Sequence, residues 1–388
     1  MTSTESEGPR SAEDVELTIL MPCLNESETI ERCVVKALSY LESSGIHGEV
    51  VVADNGSTDG SQDLARSRGA RVIDVPVRGY GAAVKAGIES AHGEFVVLGD
   101  SDDSYDFSDL DRFVAGLREG NDLVMGNRFR GTIDKGAMPF LHQYLGNPAL
   151  SLIGRVFFRT TIGDFYCGIR AYRRSSFLAL GAQANGMELG NEAIFRMVLQ
   201  GYKVAEVPAD LHPDGRSRPP HMRTWRDGWR GLRLFLLYCP RWLYVYPGIG
   251  AALAGTVLAL LVAAGVVGEA GRGVAIAAVT ACMLLLAAVA ALSSAAVATL
   301  YAQQRGMLPV TAEGRRWQSR INLERLLVAS GAAVVVPVVG SIVLLLRNLT
   351  SLEQWDLVFL GVVGAMGAAG IALSFLVGLL QFGQPPGG

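Results

Sequence analysis

Charge is what this 388-residue sequence has too little of. Asp, Glu, Lys and Arg make up 18% of it and half of its residues are apolar, whereas globular domains carry about 25% charge. The 34 basic and 37 acidic side chains leave a net charge of −3. That near-neutral total argues against nucleic-acid binding, which normally needs a basic surface. Cysteine is scarce as well. Cys23, Cys33, Cys167, Cys239 and Cys282 form no CxxC pair, and their spacing suits neither a zinc site nor a disulfide framework. The opening residues 1–15 lack a basic stretch followed by an apolar core, so they read as a disordered tail and not a secretory signal. The first half is then expected to stay in the cytoplasm. Neither a GxxxxGK(S/T) loop nor a GxGxxG turn is present, which disfavours an ATP or dinucleotide site.

The shortage of charge is uneven. Residues 1–239 hold 26 basic and 32 acidic side chains, against 8 and 5 in 240–388. Four stretches carry no charge at all: 243–267, 274–300, 326–346 and 357–380. Each is long enough to span a hydrocarbon core as a helix, which takes roughly 18–20 residues. The spacing therefore predicts an all-α transmembrane region of four helices over 242–388. Arg305, Arg315, Arg316, Arg320 and Arg325 crowd the connector 301–325, whereas 268–273 has Arg272 and 347–356 has Arg347. Positive loops stay inside, so that connector, the N-terminal half and both termini are expected to be cytoplasmic. Just before the first span, residues 222–241 place Arg223, Arg226, Arg230 and Arg233 on one helical stripe and Trp225, Trp229, Leu232 and Leu236 on another. Such a helix suits the headgroup layer of a bilayer.

The soluble half, 16–221, alternates short apolar runs with helical patterns. LTILM (17–21), EVVVA (49–53), RVIDV (71–75), EFVVLG (94–99) and DLVMG (122–126) read as buried strands. This alternation predicts an α/β domain built on a mostly parallel sheet, with ligands outside the carboxyl ends of its strands. Asp100 and Asp102 follow the fourth strand. Carboxylates one residue apart can share a hard cation such as Mg²⁺ or Mn²⁺, although a solvated turn uses the same residues. Glu26 and Asp54, after the first two strands, could accept hydrogen bonds from a base or ribose, or simply cap the helices that follow. The turn Gly79-Tyr80-Gly81 could offer backbone N–H groups to a diphosphate, and is otherwise an ordinary helix start.

In the order PCLNE, VVADNGSTDGS, GYGAAVKAG, GEFVVLGDSDD and GNRF, the chain resembles family-2 glycosyltransferases of Rossmann-like GT-A fold. DFYCGIRAYRR, GMELGNE and GYKVAEVPADLHPDGRSRPP narrow the resemblance to polyprenyl-phosphate (dolichyl-phosphate) hexosyltransferases. The resemblance covers about residues 16–240. It implies that Pro22, Leu24 and Glu26 form the first nucleotide loop, that Asp54 meets the base, and that Asp100 and Asp102 hold a metal on the diphosphate. It further implies that Arg128 faces the acceptor phosphate, that Asp164 and Arg170 close over sugar and acceptor, and that Glu188 lies near the sugar. Arg218 is the implied phosphate contact near the end of the domain. Many relatives have Gln where this chain has Ser104.

The expected reaction is inverting transfer of a hexose from a nucleotide sugar to a polyprenyl monophosphate. UDP-glucose is the favoured donor and GDP-mannose the next. Arg128, Arg170, Arg216 and Arg218 would hold the acceptor phosphate, because guanidinium forks match its geometry. Asp164 would orient a neighbour or act as a base. Two other readings compete: a processive polysaccharide synthase, and a catalytically silent nucleotide-sugar-binding scaffold at the membrane. The first usually carries QxxRW, whereas here Tyr238 stands three residues before Arg241-Trp242.

Overall fold

The computed structural model describes residues 15–217, 224–268 and 271–310. The chain divides into two compact units, Met1–Phe235 and Leu236–Gly388. In the first unit seven strands form one sheet: β1 (Leu17–Cys23), β2 (Gly48–Asp54), β3 (Arg71–Asp74), β4 (Phe95–Leu98), β5 (Leu123–Asn127), β6 (Arg170–Arg173) and β7 (Val204–Pro208). Their spatial order is β3-β2-β1-β4-β6-β5-β7. All pairings are parallel except those of β6, which runs antiparallel to both β4 and β5. The five expected strands are present. β6 and β7 add to them.

Every residue of β1 is buried, as its unbroken apolar run requires for a strand covered on both faces. Helix α1 (Ile30–Ser44) buries Ile30, Cys33, Val34, Ala37 and Leu41, the i, i+3, i+4, i+7 stripe of an amphipathic helix. Helices α2 (Ser61–Ser67), α3 (Tyr80–Ser90) and α4 (Asp111–Arg118) supply the crossovers. Strand order reverses between β1 and β4, so their carboxyl ends open the crevice in which such sheets take ligands.

Beyond β5 come a π-helical turn (His142–Gly146), α5 (Asn147–Phe158), α6 (Arg174–Ala179), α7 (Leu189–Gln200) and α8 (Thr224–Tyr238). Phe158 stacks on Phe195 with centroids 4.3 Å apart, and Phe235 lies edge-on to Phe195 at 4.7 Å. Phe165 joins this cluster 5.7 Å from Phe235. The 222–241 segment is thus helical over 224–238 and has a residue anchored in the first unit through Phe235, while Trp229 is 62% exposed.

In the second unit α9 (Tyr246–Ala263) and α10 (Arg272–Gln304) pack together. The segments Arg241–Val262 and Arg272–Gln304 are long and apolar enough to cross a membrane. Buried Ala281, Ala288, Ala295 and Ala302 recur every seven residues along α10, the period of a helix–helix seam. The first apolar helix closes at Ala263, four residues before the apolar run 243–267 ends. The expected spans 326–346 and 357–380 lie outside the described residues, as does Arg218.

Candidate active site

The loops after β1 and β2 are laced together by side chains that also shape them. The Asn25 N–H donates to Ser57 Oγ (2.8 Å), the Glu26 N–H to Ser61 Oγ (2.9 Å) and the Ser27 N–H to Asp59 Oδ2 (2.9 Å). Asn25 adopts φ +58° and its Oδ1 accepts from the Thr58 N–H at 2.8 Å; Asn is among the few residues that tolerate this region. At the end of β2, Asp54 is fully buried. Its Oδ2 accepts from the Gly56 and Ser57 N–H groups (2.9 and 3.0 Å) and from Gln62 Nε2 (2.7 Å). Its Oδ1 is buried with no hydrogen-bond partner. An acceptor left in that state costs about 1–3 kcal/mol, and a ligand N–H would relieve it.

The loop after β4 carries the carboxylate pair. Asp102 accepts at Oδ1 from the Ser104 N–H (3.1 Å) and hydroxyl (2.5 Å), so Ser104 braces the carboxylate pair's loop from within. Asp102 Oδ2 meets Arg216 Nη2 at 2.8 Å, and Arg216 Nη1 meets Glu26 Oε1 at 3.1 Å. The segment that brings Arg216 here is pinned by two backbone bonds, Gly215 N–H to Asp102 O (2.9 Å) and His212 N–H to Ser104 O (3.0 Å). Arg216, expected on the acceptor phosphate, is therefore also the counter-ion of Asp102. Ser101 ties the same loop to β1 by donating to the Pro22 carbonyl at 2.7 Å.

Asp100 lies deeper. Burial, and then the neighbouring Asp102, push its carboxyl well above the usual carboxylate range; Arg170 and Arg216 pull it back only in part. Its Oδ1 faces the Tyr80 hydroxyl at 3.4 Å. A divalent cation fits such a pair: the donors are hard oxygens, and its charge would relieve the repulsion that burial intensifies. Among the described residues no group of three or more His, Cys, Asp and Glu could hold a metal. Asp100 and Asp102 would therefore share the ion with oxygens from substrate or water.

A second cluster lies where β5 and β6 meet. Arg128 Nε and Nη2 contact Asp164 Oδ2 and Oδ1 at 2.6 and 2.8 Å, and both side chains are buried. Asp164 also accepts from the Arg128 and Tyr166 N–H groups (3.2 and 3.1 Å). Four donors fill its two oxygens. Glu206 on β7 holds this turn, accepting from the Gly163 and Asp164 N–H groups at 2.7 and 3.0 Å. Arg170 is buried without a carboxylate in ion-pair range among the described residues; it donates to the carbonyls of Cys167 (2.8 Å) and Gly190 (2.6 Å). Glu188 precedes α7 and is half-buried, two residues from that Gly190 carbonyl.

Gly168 joins the two clusters. A Cβ there would lie 2.4 Å from Asp100 Oδ2 and 2.8 Å from the Tyr105 ring, so glycine lets the 164–170 turn pass against the carboxylate. The Tyr105 hydroxyl accepts the Gly168 N–H at 2.8 Å. The Gly79 turn packs closely against the backbone of Asn185. Gly79 adopts φ +130°, and a Cβ would sit 2.1 Å from the Asn185 carbonyl, which leaves room for glycine only. The Gly79 N–H goes to Asn55 Oδ1 (2.7 Å) and the Ala82 N–H to Asn185 O (3.1 Å). Both of these N–H groups are thereby committed to protein partners. Leu24 is half-buried in the first loop.

Residues 18–181 match the model of glycosyl transferase family 2. A dolichyl-phosphate hexose transferase of Haloferax volcanii is 34% identical over 195 residues, half of this chain and 81% of that one. The chain belongs to glycosyl transferase family 2. This family-2 chain is also 36% identical over 248 residues to the low-salt glycan biosynthesis hexosyltransferase Agl6 of the same organism; the match takes in 64% of this chain and 59% of that protein's length. A solved glucosyl-3-phosphoglycerate synthase from Mycobacterium tuberculosis, in complex with Mn²⁺, UDP and glucosyl-3-phosphoglycerate, is 22% identical with a TM-score of 0.44. It covers 60% of this chain and 84% of that one.

Of the residues singled out in the sequence, Glu26, Asp102 and Arg216 come together, as do Arg128 and Asp164; Arg170 follows on the same turn. Sequence reasoning missed Glu206, Tyr105 and Gln62. Glu206 had a signal, a lone carboxylate interrupting the apolar strand VAEVP. Tyr105 and Gln62 had none.

Proposed function

We propose that this chain is a membrane-bound inverting hexosyltransferase that moves a sugar from a nucleotide donor to a polyprenyl monophosphate. UDP-glucose is the favoured donor and GDP-mannose the next. The observation that carries the reading is the pairing of two environments across Gly168: a carboxylate pair on one side, and buried Arg128 and Arg170 on the other. The first suits a metal-bound diphosphate and the second an anionic acceptor.

In this reading Asp54 Oδ1 takes an N–H of the base, and Glu26 lines the nucleotide loop. Asp100 and Asp102 hold Mg²⁺ or Mn²⁺, which when bound offsets charge developing on the departing diphosphate. Arg128 has five N–H donors and spends two side-chain donors on Asp164; the remaining three are fixed in orientation and available to a phosphate oxygen. Arg170 contributes a buried positive charge with no carboxylate in ion-pair range among the described residues, although Asp100 feels its field. Holding the acceptor oxygen in line with the sugar C1 is an orientation effect, and a phosphate monoester needs little activation to attack. Asp164, with all four of its acceptor positions filled, acts by positioning Arg128. Attack opposite the leaving group inverts C1. Residues 222–241 dock at the headgroup layer, and the apolar segments beyond anchor the enzyme with its catalytic unit on the cytoplasmic side.

The test supplies membranes containing the protein with labelled nucleotide sugars, one at a time, followed by organic extraction. Label is expected in the organic phase with UDP-glucose, and after it with GDP-mannose. No transfer from any donor would overturn the proposal in favour of a silent nucleotide-sugar-binding scaffold.

A further inference from the structure

A basic side chain already sits on the carboxylate proposed to hold the metal. The Arg216 side chain is only 13% accessible, and its Nη2 lies 2.8 Å from Asp102 Oδ2. The other oxygen of Asp102 is taken by the N–H and hydroxyl of Ser104. The same guanidinium reaches Glu26 Oε1 at 3.1 Å and Asp214 Oδ2 at 2.9 Å. Its field also favours the charged form of Asp100. Four carboxylates therefore share one guanidinium, three by contact and one through space.

The chain around Arg216 is built to keep it there. On one side the His212 N–H donates to Ser104 O (3.0 Å) and the Gly215 N–H to Asp102 O (2.9 Å). On the other, Ser217 gives its N–H and hydroxyl to the two oxygens of Glu28 at 2.7 and 2.6 Å. The Nε, Nη1 and Nη2 atoms of Arg216 all end on carboxylates. Such charge-assisted bonds are the strong ones. A divalent cation seeks the same hard oxygens. Placed on Asp102 beside the guanidinium, it would meet a like charge where little water screens the two.

We infer that Arg216 is a resident counter-cation that Mg²⁺ or Mn²⁺ must displace from Asp102. Arg216 thereby sets the metal affinity, and it makes the ion enter together with the diphosphate of the donor. An ion alone expels the guanidinium and offers it no new anion. An ion arriving with a nucleoside diphosphate brings negative charge to which the guanidinium can turn. The inference rests on the metal-binding reading of Asp100 and Asp102, and the experiment separates the two.

The full chain in detergent micelles is titrated with Mn²⁺ alone, with UDP and with GDP. Free Mn²⁺ is read by electron paramagnetic resonance, beside thermal melts of each variant. The wild type should bind Mn²⁺ about tenfold more tightly with the better of the two nucleotides than without, a coupling between ligands of ordinary size. Arg216→Gln should bind Mn²⁺ alone about tenfold more tightly than the wild type and lose most of the nucleotide effect. Deleting any nearby cation raises the affinity for another, so a second variant isolates displacement. Glu28→Ala removes an exposed carboxylate, which by charge alone would weaken Mn²⁺ binding. Because it releases Ser217 and slackens the segment that carries Arg216, affinity should instead rise about fivefold. Equal Mn²⁺ affinity in the wild type and Arg216→Gln, or weaker binding in Glu28→Ala, would overturn the exchange alone. If the melts show Arg216→Gln unfolded, Glu28→Ala and the nucleotide dependence of the wild type decide the matter. No Mn²⁺ bound by any form, with or without nucleotide, would overturn the metal reading of Asp100 and Asp102 itself.

Discussion

Asp164 offers the sharpest test of how the arginine cluster works. Its carboxylate is fully buried and grips Arg128 with two side-chain bonds of 2.6 and 2.8 Å. Asp164→Ala would leave the guanidinium buried without a counter-charge, a loss of about 3–5 kcal/mol. At roughly 2–4 °C per kcal/mol for a domain of this size, melting should fall by about 6–20 °C. Asp164→Asn keeps the shape and one acceptor, so its loss should be smaller. That makes Asn the variant for kinetics. Turnover by Asp164→Asn should fall about 10²-fold, the order expected for a misplaced orienting group. The donor KM should stay near the wild-type value, and the acid limb of the pH profile should persist, because a residue with four donors on its oxygens is not the proton acceptor. The assay is kcat and KM for donor and acceptor between pH 5 and 9, beside thermal melts of both variants. Disappearance of the acid limb in Asp164→Asn, with an unchanged melt, would refute the positioning argument and make Asp164 a general base.

Three further outcomes are expected. Asp102→Ala should lower turnover by about 10²–10³ at every Mg²⁺ or Mn²⁺ concentration, a magnitude typical of losing charge stabilisation in the transition state; full activity at saturating metal would refute the metal role. Gly168→Ala places a methyl 2.4 Å from Asp100 Oδ2, so about 1–3 kcal/mol of stability should be lost to overpacking, together with metal-dependent donor binding measured by calorimetry. Asp59 is exposed; partial desolvation raises its pKa, but hydrogen bonds from Ser61 and Ser27 outweigh this and lower it from 3.8 to about 2. Its folded pKa is depressed, so its contribution to stability is present above the unfolded value and is lost as pH falls through the folded one. Denaturant melts of Asp59→Asn should therefore show a shallower loss of stability from pH 4 to pH 2 than the wild type.

How legible each part was depended on the range of the interactions that make it. Strands β1, β2, β4 and β5 could be read because each carries a continuous apolar run bounded by turn residues, and burial on both faces requires that composition. β3, Arg-Val-Ile-Asp, is only partly buried and was read from its place in the alternation of strands and helices. The carboxylates at the ends of β1, β2 and β4 could be located for the same reason: once strands are parallel, their carboxyl ends converge on one edge. β6, Arg-Ala-Tyr-Arg, was not legible, since four residues with charge at both ends form a strand only because β4 and β5 flank it. β7 has Pro208 in its last position and every residue half-buried, which weakens the same signal.

The sequence by itself determined that a charged α/β unit precedes an apolar one, that acidic residues gather at strand ends, and that arginines occupy matched motifs. Those are properties of local periodicity and composition. Tertiary structure decided which of those groups meet. Arg216 reaches Asp102 across 114 residues, Glu206 braces the Asp164 turn across 42, and Tyr105 holds Gly168 across 63. It also set Gly79 against the Asn185 carbonyl, where a Cβ would not fit. No local pattern encodes these pairings, because each depends on where the antiparallel β6 enters the sheet and brings its preceding turn against the carboxylates.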